Sequence, residues 1–130
     1  MDQATAQEIN QEAWDQADAF VNKDRLKTHQ LRNVFSAIEK MRTQYKRIQR
    51  IKDADKRSAE MGKLDMDLIL LKPKIAYAAG KQRSVRFNFF PFVQGAVDAV
   101  GNSRDKDKAY QNFFALMESV VGYHKYFESR

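Results

Sequence analysis

The sequence predicts an all-α fold, a compact bundle of five to six helices in a single helical domain spanning residues 1–130. Two observations lead to this prediction. Only two prolines and five glycines interrupt the chain. Hydrophobic residues recur at intervals of three and four positions, and no segment alternates with a period of two. A chain of this length buries about two-thirds of its unfolded surface, which is enough for an independent core.

Two amphipathic stretches predict the first two helices. One helix covers about residues 4–21, and a second runs from an N-cap at Thr28 to about Ile51. The apolar stripe of the first comprises Ile9, Ala13, Trp14, Ala17, Phe20 and Val21. The expected buried face of the second comprises Leu31, Val34, Phe35, Ile38, Met41, Tyr45 and Ile48.

The third helix is predicted to break at Pro73. It begins after a connection over residues 53–57 and is strongly apolar from Leu64 to Leu71. A proline cannot supply a mid-helix amide, and a glycine such as Gly80 commonly closes a helix. We therefore expect two helical pieces with basic residues at the break and at the exit. These basic residues are Lys72, Lys74, Lys81 and Arg83.

Two further helices follow a polar link at residues 82–86. The fourth is short and strongly apolar over residues 89–100, with Pro91 tolerated in its first turn. After a turn at residues 101–103, the fifth runs from about Asp105 to Phe127. Its expected buried face comprises Tyr110, Phe113, Phe114, Met117, Val120, Val121 and His124.

The net charge of +6 is unevenly distributed. Residues 1–21 carry −5, residues 22–63 carry +8, residues 64–86 carry +3, and the remainder is neutral. Basic charge concentrated in the middle of a chain is typical of a protein that binds a polyanion. We expect the acidic first helix to lie away from that polyanion or against a basic neighbouring subunit.

The sequence contains no convincing catalytic motif. Its two histidines, His29 and His124, are far apart and have no metal-ligand spacing, and no glycine-rich phosphate loop is present. We expect His124 to be a packed or rim residue. The absence of cysteine removes thiolate chemistry and agrees with a reducing cytosol. Because no cofactor or metal motif is found, neither a cofactor nor a metal is expected. No apolar run approaches the length of a membrane span.

Helix two carries basic residues along one flank. At about 100° per residue, Arg32, Lys40, Arg47 and Arg50 lie within roughly a quarter-turn of one another and extend over about 27 Å. A solvated face would also explain such a row. The charge of the segment and the bases after Gly80 favour contact with a phosphate backbone, read without base specificity.

Three sequence blocks resemble the small helical subunit of type III-A CRISPR effector complexes, the Csm small subunit. The first is Thr28-His29-Gln30-Leu31-Arg32 with Phe35, and the second is the segment LKPKIAYAAGK at residues 71–81. The third is the aromatic-His-Lys-aromatic tail at residues 123–127. The family commonly has Arg where this chain has Lys81, which leaves open whether Lys81 or Arg83 makes the expected contact.

The resemblance implies a non-catalytic subunit of an RNA-guided antiviral complex in the cytoplasm. Several copies would stack beside the backbone subunits, with the large polymerase-like subunit as a further partner, and would contact the backbone of the guide RNA–target RNA duplex. The charge pattern and the resemblance together select six RNA-contacting residues, Arg32, Arg47, Arg50, Lys74, Lys81 and Arg83. The alternative is a stand-alone, sequence-nonspecific nucleic-acid-binding helical protein.

Overall fold

The computed structural model describes residues 1–130 and contains helices but no strands. Five long helices and one short helix follow one another along the chain, which confirms the predicted all-α class. They are α1 (Ala6–Asp18), α2 (Thr28–Gln49), α3 (Ala54–Lys81), α4 (Arg83–Arg86), α5 (Phe89–Gly101) and α6 (Lys106–Glu128). A single π-helical turn, Ala19–Lys23, extends α1. None of the helices is long and apolar enough to cross a bilayer.

Four of the helices form a ring around one hydrophobic core. Helix α2 packs on α3, α3 on α5, α5 on α6, and α6 on α2, while α1 lies along the length of α6. Aromatic rings fill the centre of the bundle. Phe20 packs edge-on against Phe89, with ring centroids 5.3 Å apart, and Phe35 stacks on Phe89 at 6.2 Å. The aromatic residues that were predicted on buried faces are buried, with the exception of Trp14: they are Phe20, Phe35, Tyr45, Tyr110, Phe113 and Phe114.

The N-terminus of α1 is fixed by a reciprocal capping arrangement. The Glu8 amide donates to the Thr5 hydroxyl at 3.1 Å, and the Thr5 amide donates to the Glu8 carboxylate at 3.0 Å. Together these bonds satisfy two amides that a helix start would otherwise leave without a partner. After the π-helical turn, Arg25 adopts a positive φ of 55°, and the chain turns there so that Leu26 enters the core.

The predicted break at Pro73 is wrong, because α3 continues through that residue to Lys81. A proline inside a helix costs roughly 3 kcal/mol through the lost hydrogen bond and the ring clash. Here the ring is exposed, and buried residues continue on both sides of it: Leu64, Leu68, Leu71, Ile75 and Ala79. Burying a leucine or isoleucine side chain is worth about 1.5–3 kcal/mol. The burial of these residues on both sides of Pro73 therefore offsets the cost of the proline.

The element boundaries also differ from the expected ones. Asp53 is the N-cap of α3, and its carboxylate accepts the amide of Asp55 at 2.9 Å, so the predicted connection at residues 53–57 is mostly helix. The residue that caps α2 is Lys27, and Thr28 is its first helical residue. The predicted polar link at residues 82–86 contains α4, which buries Val85 in the core.

Four residues expected on buried faces are not buried, since Ile9 and Val21 are only partly buried and two others are exposed. Val121 is 41% exposed on α6, and Trp14 is 38% exposed on α1. The indole ring of Trp14 still packs edge-on against Tyr123 and Phe127, with centroids 5.2 Å and 4.7 Å away. Trp14 therefore lies at the rim of the α1–α6 contact, since its ring is packed on one side and open to solvent on the other.

Candidate nucleic-acid interface

The contact between α2 and α3 brings the basic centre of the chain into one place. Only a short connection separates the end of α2 at Gln49 from the start of α3 at Ala54. The two helices therefore run antiparallel, and the beginning of α2 lies beside the end of α3. Two open clefts follow from this arrangement, one at each end of the α2–α3 contact.

The first cleft has a volume of about 330 Å³ and contains two of the predicted site residues. Lys74 and Lys81 of α3 line it together with Gln30 and Asn33 of α2. Both lysines are exposed, and neither forms an ion pair with a carboxylate of the chain. The structure thus joins the Lys-Pro-Lys segment to the first turns of α2.

The second cleft brings Arg47 of α2 together with Lys56 and Lys63 of α3. Lys63 is paired with Glu60 at 3.1 Å, whereas Arg47 and Lys56 have no carboxylate partner. This cleft lies at the opposite end of α2 from the first one. Cationic side chains therefore occur at both ends of the α2–α3 contact.

Four lysines of α3 share one face of the helix. At 100° per residue, positions 56, 63, 74 and 81 lie within about 20° of one another, and they extend over about 37 Å. We call Arg47 and these four lysines, Lys56, Lys63, Lys74 and Lys81, the basic seam. The seam is a row of positive charge along the edge where α3 meets α2.

Sequence reasoning missed Lys56 and Lys63, although their spacing contains the signal. Intervals of seven, eleven and seven residues return to the same face of a continuous helix. If α3 were broken at Pro73, the two pieces could point in different directions, and the lysines before and after the break would not share one face. The continuity of α3 is therefore what places all four lysines on one line.

Three predicted residues lie outside both clefts. Arg32 is exposed on the outer face of α2, about 100° around the helix from Asn33, and Arg50 is exposed at the C-cap just after the helix ends. Arg83 is on α4, where its guanidinium lies 5.6 Å from the centroid of the exposed ring of Phe87. None of the three forms an ion pair with the protein.

The ends of α2, α3 and α4 are tied together by Gln30. Its side-chain carbonyl accepts the Lys27 amide at 2.9 Å and the Ser84 hydroxyl at 2.8 Å. The Arg86 side chain donates to the Ala79 carbonyl at 3.2 Å and so holds α4 against the end of α3. These bonds fix the geometry of the first cleft.

Two tyrosine hydroxyls of the core have a raised pKa. Burial, followed by a hydrogen bond to Asp65, raises the pKa of the Tyr110 hydroxyl, and burial also raises the pKa of Tyr45. His124 is buried, and its Nε2 atom lies 2.8 Å from the Leu26 carbonyl oxygen, so the prediction that it is packed is confirmed. His29 is exposed at the start of α2.

The comparisons with known proteins give one match. Neither a search of curated proteins nor a search of solved structures found a match to this chain. The family model described as Csm2 Type III-A matches residues 3–130, which is essentially the whole chain. The chain belongs to the Csm2 Type III-A family and is a small subunit of a type III-A CRISPR effector complex.

Proposed function

We propose that this small subunit is non-catalytic and contacts the sugar-phosphate backbone of the guide RNA–target RNA duplex. The basic seam is the observation that carries the proposal. Its arginine and three of its four lysines have no carboxylate partner in the protein, so their charge is available to phosphates. Basic residues that track a helix edge bind a backbone without reading its sequence.

The six predicted residues have different parts in this proposal. Lys74, Lys81 and Arg47 contact phosphates from within the two clefts. Arg32 and Arg50 contact phosphates from outside the clefts along α2, and Arg83 does so beyond the end of α3. Base pairing between guide and target supplies sequence specificity, while the protein recognises shape and charge.

The subunit acts in the cytoplasm with several partners. We propose that further copies of the chain stack along the complex, next to the backbone subunit and near the large polymerase-like subunit. An exposed apolar patch on α3 supports contact between protein copies. It consists of Met66, Ile69 and Leu70, which are 58%, 57% and 53% exposed.

A groove elsewhere on the surface can accept this patch. The groove has a volume of about 610 Å³, runs between α1 and α5, and is lined by apolar residues that include Ile9, Phe92 and Leu116. Patch and groove are separate surfaces, since none of the three patch residues lines the groove. Contact between two different surfaces of one protein gives an open-ended stack when successive copies do not close into a ring.

Charge reversal tests the RNA contact directly. Arg32→Glu combined with Lys81→Glu should lower the affinity of the assembled complex for target RNA by at least about tenfold, since two phosphate contacts are lost. The slope of log K against log salt should become shallower by about 0.7–0.9 per lost contact. Lys108→Glu is the matched control, because Lys108 is an exposed lysine on α6 outside the basic seam.

Unchanged affinity and an unchanged salt slope in a normally assembled complex would refute the proposed contact. The stand-alone alternative is tested by pull-down. It predicts tight RNA binding by the isolated chain and no incorporation into a larger ribonucleoprotein. Membership of the Csm2 family favours the complex instead.

A further inference from the structure

The first cleft of the basic seam contains more than positive charge. Its floor is apolar and includes Val34, Ile75 and Val85, all of which belong to the core. A phosphate backbone alone does not require such a floor, since phosphates are recognised by donors and cations. The cleft is therefore lined by apolar as well as basic side chains, and a ligand with an apolar face fits such a lining.

Side-chain amides surround the floor. The carbonyl of Gln30 is occupied by Lys27 and Ser84, so its NH2 group remains as a fixed donor. Asn33 and Gln82 also line the cleft, and their side-chain amides have no hydrogen-bond partner in the protein. Each can donate and accept, as is needed to meet the edge of a nucleobase.

An aromatic ring lies at the mouth of the cleft. Tyr77 lines the cleft and is 66% exposed, the highest value among the large hydrophobic side chains of the chain. The ammonium group of Lys81 lies 4.6 Å from the centroid of this ring and holds one of its faces. Aromatic rings of this kind stack on unpaired bases, which contributes about 1–3 kcal/mol per base.

Two cations complete the site. Lys74 and Lys81 line the same cleft as Tyr77. On α3 these two lysines lie about one helical turn before and about one helical turn after Tyr77. A nucleotide has a base and a phosphate a short distance apart, and this cleft offers a partner to each. A volume of about 330 Å³ is also at the lower end of the range usual for small-ligand sites, about 300–1,000 Å³.

We propose that the cleft binds one unpaired nucleotide of the RNA. The base stacks on Tyr77 and meets the amides of Asn33 and Gln82, while Lys74 and Lys81 contact the adjacent phosphates. Bases inside a duplex cannot enter, because stacking covers their faces and pairing occupies their edges. The proposal rests on the RNA contact proposed above and adds a second kind of recognition to it.

The experiment measures binding of two RNA duplexes to the assembled complex. One duplex is fully paired, and the other has a single extrahelical nucleotide. Tyr77→Leu should weaken binding of the second duplex by about tenfold, which corresponds to about 1.4 kcal/mol, and should leave the salt slope unchanged. Tyr77→Phe should bind as the unmodified protein does, because the ring is kept.

Tyr126→Leu is the matched control. Tyr126 is a tyrosine on α6 that is 48% exposed and does not line the cleft. Placing 5-iodouridine at the extrahelical position and irradiating the complex adds a second readout, the crosslink between RNA and protein. A crosslink to the Tyr77 peptide is expected from the unmodified protein.

Two negative results have different meanings. If Tyr77→Leu binds both duplexes normally and no crosslink forms, while Lys81→Glu weakens binding, the nucleotide site is refuted and the backbone contact stands. If Lys81→Glu also has no effect, the proposed function fails together with the nucleotide site. Because Tyr77 is largely exposed, its replacement leaves the core intact, and thermal unfolding of each variant checks this.

Discussion

At the scale of single residues, the chain separates charges that are neutralised from charges that are available. Arg42 pairs with Glu118 at 2.5 Å, and Lys72 pairs with Asp98 at 2.7 Å, so both serve contacts within the protein. Lys74 is only two positions from Lys72 but points to the α2 side of α3 and has no such partner. A charge count along the sequence cannot distinguish these two lysines, because the partner carboxylates are distant in the chain.

The acidic N-terminus gives a prediction about pH. The backbone amide of Asp105, at 2.9 Å, lowers the pKa of the Asp2 carboxyl below its ordinary value of 3.8, and the Arg104 amide contributes further. A carboxyl whose pKa is lowered in the folded state stabilises that state above the ordinary pKa. This contribution is lost as the pH falls through the lowered pKa.

Asp2→Asn should therefore reduce the free energy of unfolding at neutral pH, and the difference from the unmodified protein should shrink at pH values below 3.8. Urea unfolding of the variant and the unmodified protein, at neutral pH and at pH values below 3.8, measures this difference in the free energy of unfolding. Asp67→Asn is the control, because Asp67 is exposed and forms no ion pair or side-chain hydrogen bond. A difference for Asp2→Asn that stays constant with pH would show that its carboxylate is not held by those amides.

At the scale of the elements, the buried face of α2 was fully predictable, whereas the continuity of α3 was not. All seven positions expected on the buried face of α2 are buried. In α3, the presence of Pro73 predicted a break in the helix. The buried residues on both sides of Pro73 stabilise a continuous helix instead. Tertiary packing decides this case, and the sequence around Pro73 does not reveal which other helices cover those buried residues.

Pro73→Ala tests the continuity of α3. If the helix runs through this position, alanine restores the missing hydrogen bond and should stabilise the protein by about 1–3 kcal/mol. Pro91 is the matched control, since it lies in the first turn of α5, where a proline amide is not needed. Pro91→Ala should be neutral or slightly destabilising. Denaturant unfolding that shows no gain for Pro73→Ala would favour two separate helical pieces.

The candidate site could be predicted only in part for the same reason. Lys74, Lys81 and Arg47 were found from charge and from the sequence blocks. Lys56 and Lys63 join them only when α3 is continuous and packs antiparallel to α2. The side-chain amides of Asn33 and Gln82 come together at the first cleft only because α2 packs beside α3 and α4. No local sequence pattern encodes that packing.

At the scale of the whole molecule, we propose that the subunit has two working surfaces. In this proposal the basic seam contacts RNA, and the apolar patch on α3 contacts a neighbouring copy. Leu70→Glu places a charge in that patch and should reduce the number of copies retained in the complex, because burying an unpaired charge is costly. Val121→Glu is the control, since Val121 is an exposed apolar residue on α6 that lies outside the patch and the α1–α5 groove.

Mass measurement of the assembled complex gives the copy number. A Leu70→Glu complex with the full mass would exclude the patch from the contact between copies. A Phe92→Glu variant would place a charge in the α1–α5 groove, the other side of the proposed contact. It is not a suitable test, because Phe92 is part of the core and its replacement would destabilise the fold.

Mapping of RNA crosslinks on the assembled complex is the sharpest test of the proposed RNA contact. We predict that ultraviolet crosslinks from the RNA fall in the peptides around residues 47–63 and 74–83, which contain the basic seam, and around residues 28–33, which include the α2 side of the first cleft. The acidic helix α1 should remain free of them. Crosslinks that concentrate at residues 8–18 and spare the basic seam would contradict the account.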